Sequence, residues 1–464
     1  MSDEKFTEKQ IRQLKEDALR YVCPHAAKND ELLVNGPKIF TRGEGCYVYD
    51  IEGRKYLDTF ATLLTTICGH NRPEVRQAVY EQMKKLEFFP NYVDSFTLPL
   101  IKLAKKLAEI TPGDLSVSFF VNSGSEANET AIKIAKQYQL ETGKPKKWKI
   151  IARRFSYHGT TLGAASATGL PSYKKYFEPL LPGYIFANAA RDYECPEGMS
   201  PKEYGKVCLK ELDDLIQFET PETIAGMIMD PVPGSNTAYP LPPEGYLQGV
   251  RKLCNKYGIV LIFDEVQTGF AKTGKMFACE HWDVTPDIIT LGKGFTGGFA
   301  PLGAAVMTGK IYKVFKRIGH ELRSGSTFGG HTLACAATLA NIDIIEKENL
   351  VKKAAGMGKY LREGLEKLYK HFIVGDVCGI GMLLAVKLVS DRKTKTPLDP
   401  KLKVGKWIRE RCWQLGMILR NNGDILVIAP SLILSKDEAD ILLKKTDQAI
   451  SDAMKHFKFL RKGK

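Results

Sequence analysis

The stretches GIVLIFDEVQTGF (Gly258–Phe270) and PDIITLGKG (Pro286–Gly294) each carry a short apolar run that ends abruptly at a charge, Asp264 in the first and Lys293 in the second. Such runs are too short for a buried helix and read as strands covered on both faces. Further runs of this kind are VSFFVN, KWKIIARR, IAGMIMDPV and LGAAVMTG, and helical patterns such as EANETAIKIAKQYQLETG and PEGYLQGVRKLCNKYG lie between several of them. Buried strands separated by helices predict an α/β fold with a mainly parallel, doubly wound sheet and a site outside the strands' C-terminal ends. This large domain is expected over residues 71–335. From 336 to 464, helices surround a few strands, GMLLAVKLV and GMILRNNGDILVIAP among them, which predicts a smaller α+β domain completed by residues 1–70.

With 464 residues, 44% of them hydrophobic, the chain can bury a large core. No apolar run approaches the roughly 20 residues that cross a bilayer. The start, MSDEKFTEKQIRQLKEDALRYV, is charged and helix-like and lacks the apolar core of a signal peptide, so a cytoplasmic location is expected. Ten cysteines stand singly with no CxxC pair, which argues against a metal site or a disulfide framework. A net charge of +14 would suit a nucleic-acid partner, yet the lysines fall at helical spacing, as in LIKLAKKLAEI and LVKKAAGMGKYLREGLEKLYKHF. Solvated helix faces are the reading taken, with anionic small molecules drawn to the same surface.

Four pieces fall at strand ends. In FFVNSGSEANETAIKIAKQ a strand runs into Ser123, Gly124 and Ser125 and then a helix, an arrangement that suits a phosphate and equally suits ordinary helix capping. Asp264 needs a cationic partner at a buried strand end, or caps a neighbouring helix. Lys293 lies 29 residues beyond Asp264 and one strand further on, so the two share one side of the sheet, as a salt bridge or as a site. The flanking glycines suggest room for a bulky planar group. RRFSYHGTTLGAASATG places Tyr157 and His158 after another strand end, as core packing or as an aromatic face in a loop. A phosphate cradle, an aromatic face, a buried acid and a lysine together are what pyridoxal 5′-phosphate (PLP) requires: a Schiff-base lysine, an acid on the ring nitrogen and a phosphate anchor.

On these pieces the chain resembles the class III aminotransferases of fold type I, the omega-amino-acid family, over nearly its whole length. The span LIFDEVQTGFAKTGKMFACEHWDVTPDIITLGKGFTGGFAPLGA is similar to that family's signature. The resemblance implies that Lys293 binds the cofactor covalently and carries the reacting proton, while Asp264 pairs with the pyridinium. It further implies that Val266 packs under the ring, Gln267 bonds its 3′ oxygen, Gly124 and Ser125 hold the phosphate, and Tyr157 stacks on the ring with His158 beside it. SGSTFGGHTLACAA is similar to the segment in which a threonine, here Thr327, reaches the phosphate in a partner subunit; a homodimer with shared sites, or a tetramer built from it, is implied.

Two departures bear on substrate. Ornithine- and GABA-type relatives carry EPxxGExG where this chain has Asp230 for the first Glu and Ser235 for the second. The second Glu commonly pairs with the carboxylate-binding arginine, which here would be Arg420. Many pyruvate-dependent relatives have a tryptophan where Leu64 stands, so the pocket is expected to differ in shape on that side. The expected activity is transfer of an amino group from an omega-amino acid, a taurine-like compound or an amine to pyruvate or another 2-oxo acid. The alternatives are a diamine aminotransferase using 2-oxoglutarate and, further off, an aminomutase or decarboxylase on the same fold. Neither a nucleic acid nor a membrane is expected as a partner.

Overall fold

The structure, a computed structural model, describes residues 6–27 and 29–458. Its central sheet has seven strands, labelled β1 to β7 in chain order: Leu115–Val121, Lys149–Arg153, Tyr184–Ala187, Ile224–Met229, Val260–Asp264, Ile288–Leu291 and Gly303–Thr308. Their spatial order is β1-β7-β6-β5-β4-β2-β3. Strands β2 to β6 pair in parallel, and β7 runs antiparallel between β1 and β6. The expected α/β architecture with a mainly parallel sheet is therefore present. Every residue of β4, β5 and β6 is buried, as continuous apolar runs predict. The edge strand β3 was not foreseen, because only Ala187 of its four residues is buried and YIFA carries no strong pattern.

The two ends of the chain meet in smaller sheets. Phe40–Glu44, Tyr47–Asp50 and Lys55–Asp58 form an antiparallel set, and Met417–Ile418 joins its edge in parallel, with Met417 opposite Leu57 and Ile418 opposite Asp58. Val374–Ile380, Leu383–Asp391, Ile425–Ile428 and Arg420–Asn422 make a second antiparallel sheet. The first of these four strands was also missed from sequence.

The lysine-rich segments are helices with one buried stripe. Leu98–Ile110 buries Leu100, Leu103 and Leu107 and exposes Lys102 and Lys105; Leu350–Glu366 buries Leu350, Ala354, Leu361 and Leu365. Among the described residues no helix is long and apolar enough to cross a membrane.

Candidate active site

A cavity opens at the C-terminal ends of the parallel strands. Three buried strands deliver acid and base to it: Asp230 directly follows β4, Asp264 ends β5, and Lys293 stands just past β6. The fourth contribution comes from the turn after β1, where Ser123 caps the helix Gly124–Glu141 by accepting from the Glu126 N–H at 3.2 Å. The capping reading of this turn holds, and the same turn borders the cavity. Ser123 caps the helix, and Gly124 and Ser125 in its first turn line the cavity. A Cβ on Gly124 would lie 2.8 Å from Val266 Cγ1, so the helix start approaches Val266 only because the residue is glycine.

Asp264 is held by three donors. His158 Nδ1 and Asn128 Nδ2 each lie 2.8 Å from its Oδ2, and the Val266 N–H donates to Oδ1 at 3.0 Å. Thr290 on β6 donates to Asn128 Oδ1 at 2.7 Å, which orients the amide so that its nitrogen faces both Asp264 and the His158 carbonyl oxygen. Asp264 thus does not cap a helix. Its neighbour Glu265 does, accepting from the N–H groups of Ala278 and Cys279 at 2.9 and 2.8 Å and from the Thr268 hydroxyl. Burial pushes the Glu265 carboxyl up, against these hydrogen bonds.

Tyr157 lines the cavity and meets Tyr173 edge-on, with ring centres 5.1 Å apart. His158, expected beside it, also lines the cavity and directs its Nδ1 to Asp264. Asn128 and Thr290 were not singled out from sequence. Nothing local marks them, since Asn128 looks like any polar residue on a helix face and Thr290 like a strand residue.

Lys293 has a left-handed backbone, φ 47°, and its side chain meets the cavity. Burial pushes its ammonium from lysine's usual range down to about 8, while the Asp264 carboxylate pulls the other way. A share of the amine is therefore neutral and nucleophilic near neutral pH. The flanking glycines serve a different purpose from the one expected. The space beside Gly292 is taken by Gly124 Cα and Val266, and that beside Gly294 by Ile67. They let protein pack around the lysine rather than leaving room for a ligand.

Gln267 lines the same cavity, and its Oε1 is buried with no protein partner. An orphaned acceptor of this kind calls for a donor from outside the chain. Together with a helix start edged by serine, a paired carboxylate and a lysine, it fits the donor set that PLP requires.

Three expected residues lie off this cavity's wall. Thr327 is exposed, next to Ser326, whose Oγ accepts from Asn122 Nδ2 at 2.7 Å. Arg420 is exposed, with its guanidinium carbon 6.0 Å from the Phe60 ring centre. It has no carboxylate partner among the described residues. Leu64 is buried in a cluster with Phe60, Val232, Ala238 and Tyr239. Asp230 pairs with the fully buried Arg153, whose Nη2 donates to Oδ1 at 2.8 Å. That buried pair, too, was invisible to sequence reading.

Residues 30–450 match the family described as aminotransferase class-III. The chain belongs to the class III aminotransferases. This aminotransferase is 39% identical to a probable aminotransferase of Mycobacterium tuberculosis over 409 residues, 87% of each chain. Among solved structures it resembles a thermostable (S)-enantioselective omega-transaminase from Thermomicrobium roseum, with a TM-score of 0.94 and 37% identity, covering 97% of this chain and 100% of that one. An omega-transaminase from Pseudomonas jessenii, solved in complex with PMP, superposes with a TM-score of 0.93 at 34% identity, over 97% and 100% of the two chains. Class III aminotransferases depend on PLP and act on amines and keto acids, so the aminotransferase is an enzyme of that reaction class on fold type I.

Proposed function

We propose that this aminotransferase moves the amino group of an omega-amino acid, a taurine-like compound or a simple amine to pyruvate or another 2-oxo acid. The observation that carries the reading is the meeting of Asp264 and Lys293 in one cavity from the ends of adjacent parallel strands. PLP bound there would supply an electron sink for the carbon that loses its proton. Gly124, Ser125 and the helix start behind them would hold the phosphate. Tyr157 and Val266 would cover the two ring faces, with Gln267 on the 3′ oxygen and His158 steadying Asp264. Asp264 would hold a proton on the ring nitrogen, and three donors fix where that carboxylate points. Lys293 Nζ, freed from its tether, would carry the proton from one carbon to the other.

The donor class is supported by what surrounds Arg420. With Ser235 where a glutamate would tether it, the guanidinium lies 6.0 Å from the Phe60 ring centre, has no carboxylate partner among the described residues and would be free to bind one from a substrate. Leu64 and Val232 would form the wall facing the donor's side chain. Thr327 would serve a second subunit: it stands beside the exposed Phe328, and the exposed Tyr92 lies against Gly325 two residues before it, apolar surface suited to a homodimer. The sheets built from both chain ends support a division near residues 70 and 335.

Half-reaction spectroscopy tests the proposal. Enzyme loaded with PLP should lose its yellow colour on adding an amine donor and regain it with a 2-oxo acid. Release of CO₂, or turnover without any 2-oxo acid, would replace it with a decarboxylase or aminomutase reading.

A further inference from the structure

Four consecutive residues, Ala61, Thr62, Leu63 and Leu64, have left-handed backbones, with φ of 43°, 44°, 64° and 69°. None is glycine, and each places its Cβ against the following carbonyl oxygen. Such a run persists only where its surroundings impose it. Here the buried carboxylate of Asp58 does so. Its Oδ1 accepts from the Phe60 N–H at 3.0 Å, and its Oδ2 accepts from the Thr62 N–H at 2.6 Å and the Thr62 hydroxyl at 2.8 Å. His70 Nε2 closes the ring of contacts, 3.2 Å from Thr62 Oγ1 and 3.6 Å from Asp58 Oδ2.

The base of this turn is fixed to the C-terminal half of the chain. The Thr59 N–H donates to the Ile418 oxygen at 3.2 Å, and the Ala429 N–H donates to the Thr59 oxygen at 2.8 Å. Its ends, Phe60 and Leu64, are joined by the Leu64 N–H to Phe60 oxygen bond at 2.9 Å. Both side chains pack into the cluster that contains Val232, a residue of the cavity wall, and Phe60 also lies under Arg420.

We infer that Asp58 is a positioning residue for substrate choice: by holding Ala61–Leu64 in a left-handed turn it fixes Leu64 and Phe60, and through them the wall at Val232 and the seat of Arg420. This rests on the substrate roles proposed above for Leu64 and Arg420. If the turn relaxes, the wall shifts, and an apolar wall displaced by one methylene changes selectivity by roughly 10- to 200-fold.

The variants Asp58→Ala, Asp58→Asn, Leu63→Gly and Asp58→Ala/Leu63→Gly test it. Leu63 is exposed, and glycine adopts its φ without Cβ crowding. Two readouts apply. Hydrogen exchange at the Thr62, Leu64 and Thr65 amides of protein stripped of cofactor should accelerate about tenfold or more in Asp58→Ala. The ratio of kcat/KM for 1-phenylethylamine over 2-aminobutane, with pyruvate as acceptor, should shift about tenfold in Asp58→Ala and less in Asp58→Asn, which keeps one acceptor oxygen. Adding Leu63→Gly should recover much of the shift, and Leu63→Gly alone should leave the ratio unchanged. An unchanged ratio in folded Asp58→Ala, or a shift that Leu63→Gly does not recover, overturns the inference. If Asp58→Ala does not fold, Asp58→Asn and the double variant carry the test, and an unchanged ratio in both overturns it. Wild-type enzyme that transaminates neither amine removes simple amines from the proposed donors; the ratio is then read between two omega-amino acids of different length, and an exchange rate unchanged in Asp58→Ala overturns the inference by itself.

Discussion

His158 Nδ1 lies 2.8 Å from Asp264 Oδ2, and both side chains are buried. Together with the Asn128 amide on the same oxygen, this contact fixes the direction in which the carboxylate faces. The histidine thereby orients the acid from within the cavity wall that both residues share, and the consequences can be measured.

Asp264→Asn should lower kcat by several orders of magnitude, about 4 kcal/mol or more at about 1.4 kcal/mol per decade. The amide cannot hold a proton on a ring nitrogen, and its NH₂ would face donors that now point at a carboxylate. Steady-state kinetics with circular dichroism as a folding control decides it. A loss under tenfold would mean that another group protonates the ring.

His158→Phe removes one of the three donors and leaves Asn128 and Val266. Loss of a hydrogen bond to a charged group is worth about 1.5–3 kcal/mol, so kcat should fall about 10- to 150-fold. The visible spectrum of the loaded enzyme should also titrate at a changed pH, an effect that mere loss of packing would not produce.

Lys293→Ala should abolish turnover while phosphate contacts still retain some cofactor. In the wild type, the lowered value of about 8 sets the sign of the pH dependence. The unprotonated amine rises with pH through about 8 and is nearly complete by about 9.5, whereas an ordinary lysine would still be gaining it above 10. Reloading of stripped enzyme with PLP, followed by stopped flow, should therefore accelerate with pH and level off above that point. A rate still climbing at pH 10.5 would contradict the lowered value.

Arg420→Ala should slow the 2-oxo-acid half-reaction at low substrate by about 10- to 150-fold, the scale of a lost charged contact of about 1.5–3 kcal/mol. The half-reaction with a simple amine should stay within a few-fold, because that donor brings no carboxylate. Equal losses in both half-reactions, or in neither, would remove Arg420 from substrate binding.

Inactive Lys293→Ala and Thr327→Ala subunits, mixed under conditions that allow exchange, should regain part of the activity if sites are shared. Sedimentation of a fully active monomer would end that proposal.

The sequence by itself determined six of the seven strands of the central sheet and the residues at their ends. Short apolar runs have few ways to be buried, and their C-terminal ends necessarily share one side of a parallel sheet, so Asp264 and Lys293 could be placed together without coordinates. Capping at Ser123 was legible as well, because it is local. What the sequence could not give was which side chains turn toward Asp264, since Asn128 and His158 are 136 and 106 residues away and their orientation is set by packing. The tertiary structure also separated Asp264 from Glu265, adjacent carboxylates that face opposite sides of one strand end, one toward the cavity and one into a helix cap. It alone decided the left-handed course of Ala61–Leu64. No glycine or asparagine announces that turn, and a buried carboxylate with its histidine imposes a backbone that local preference opposes.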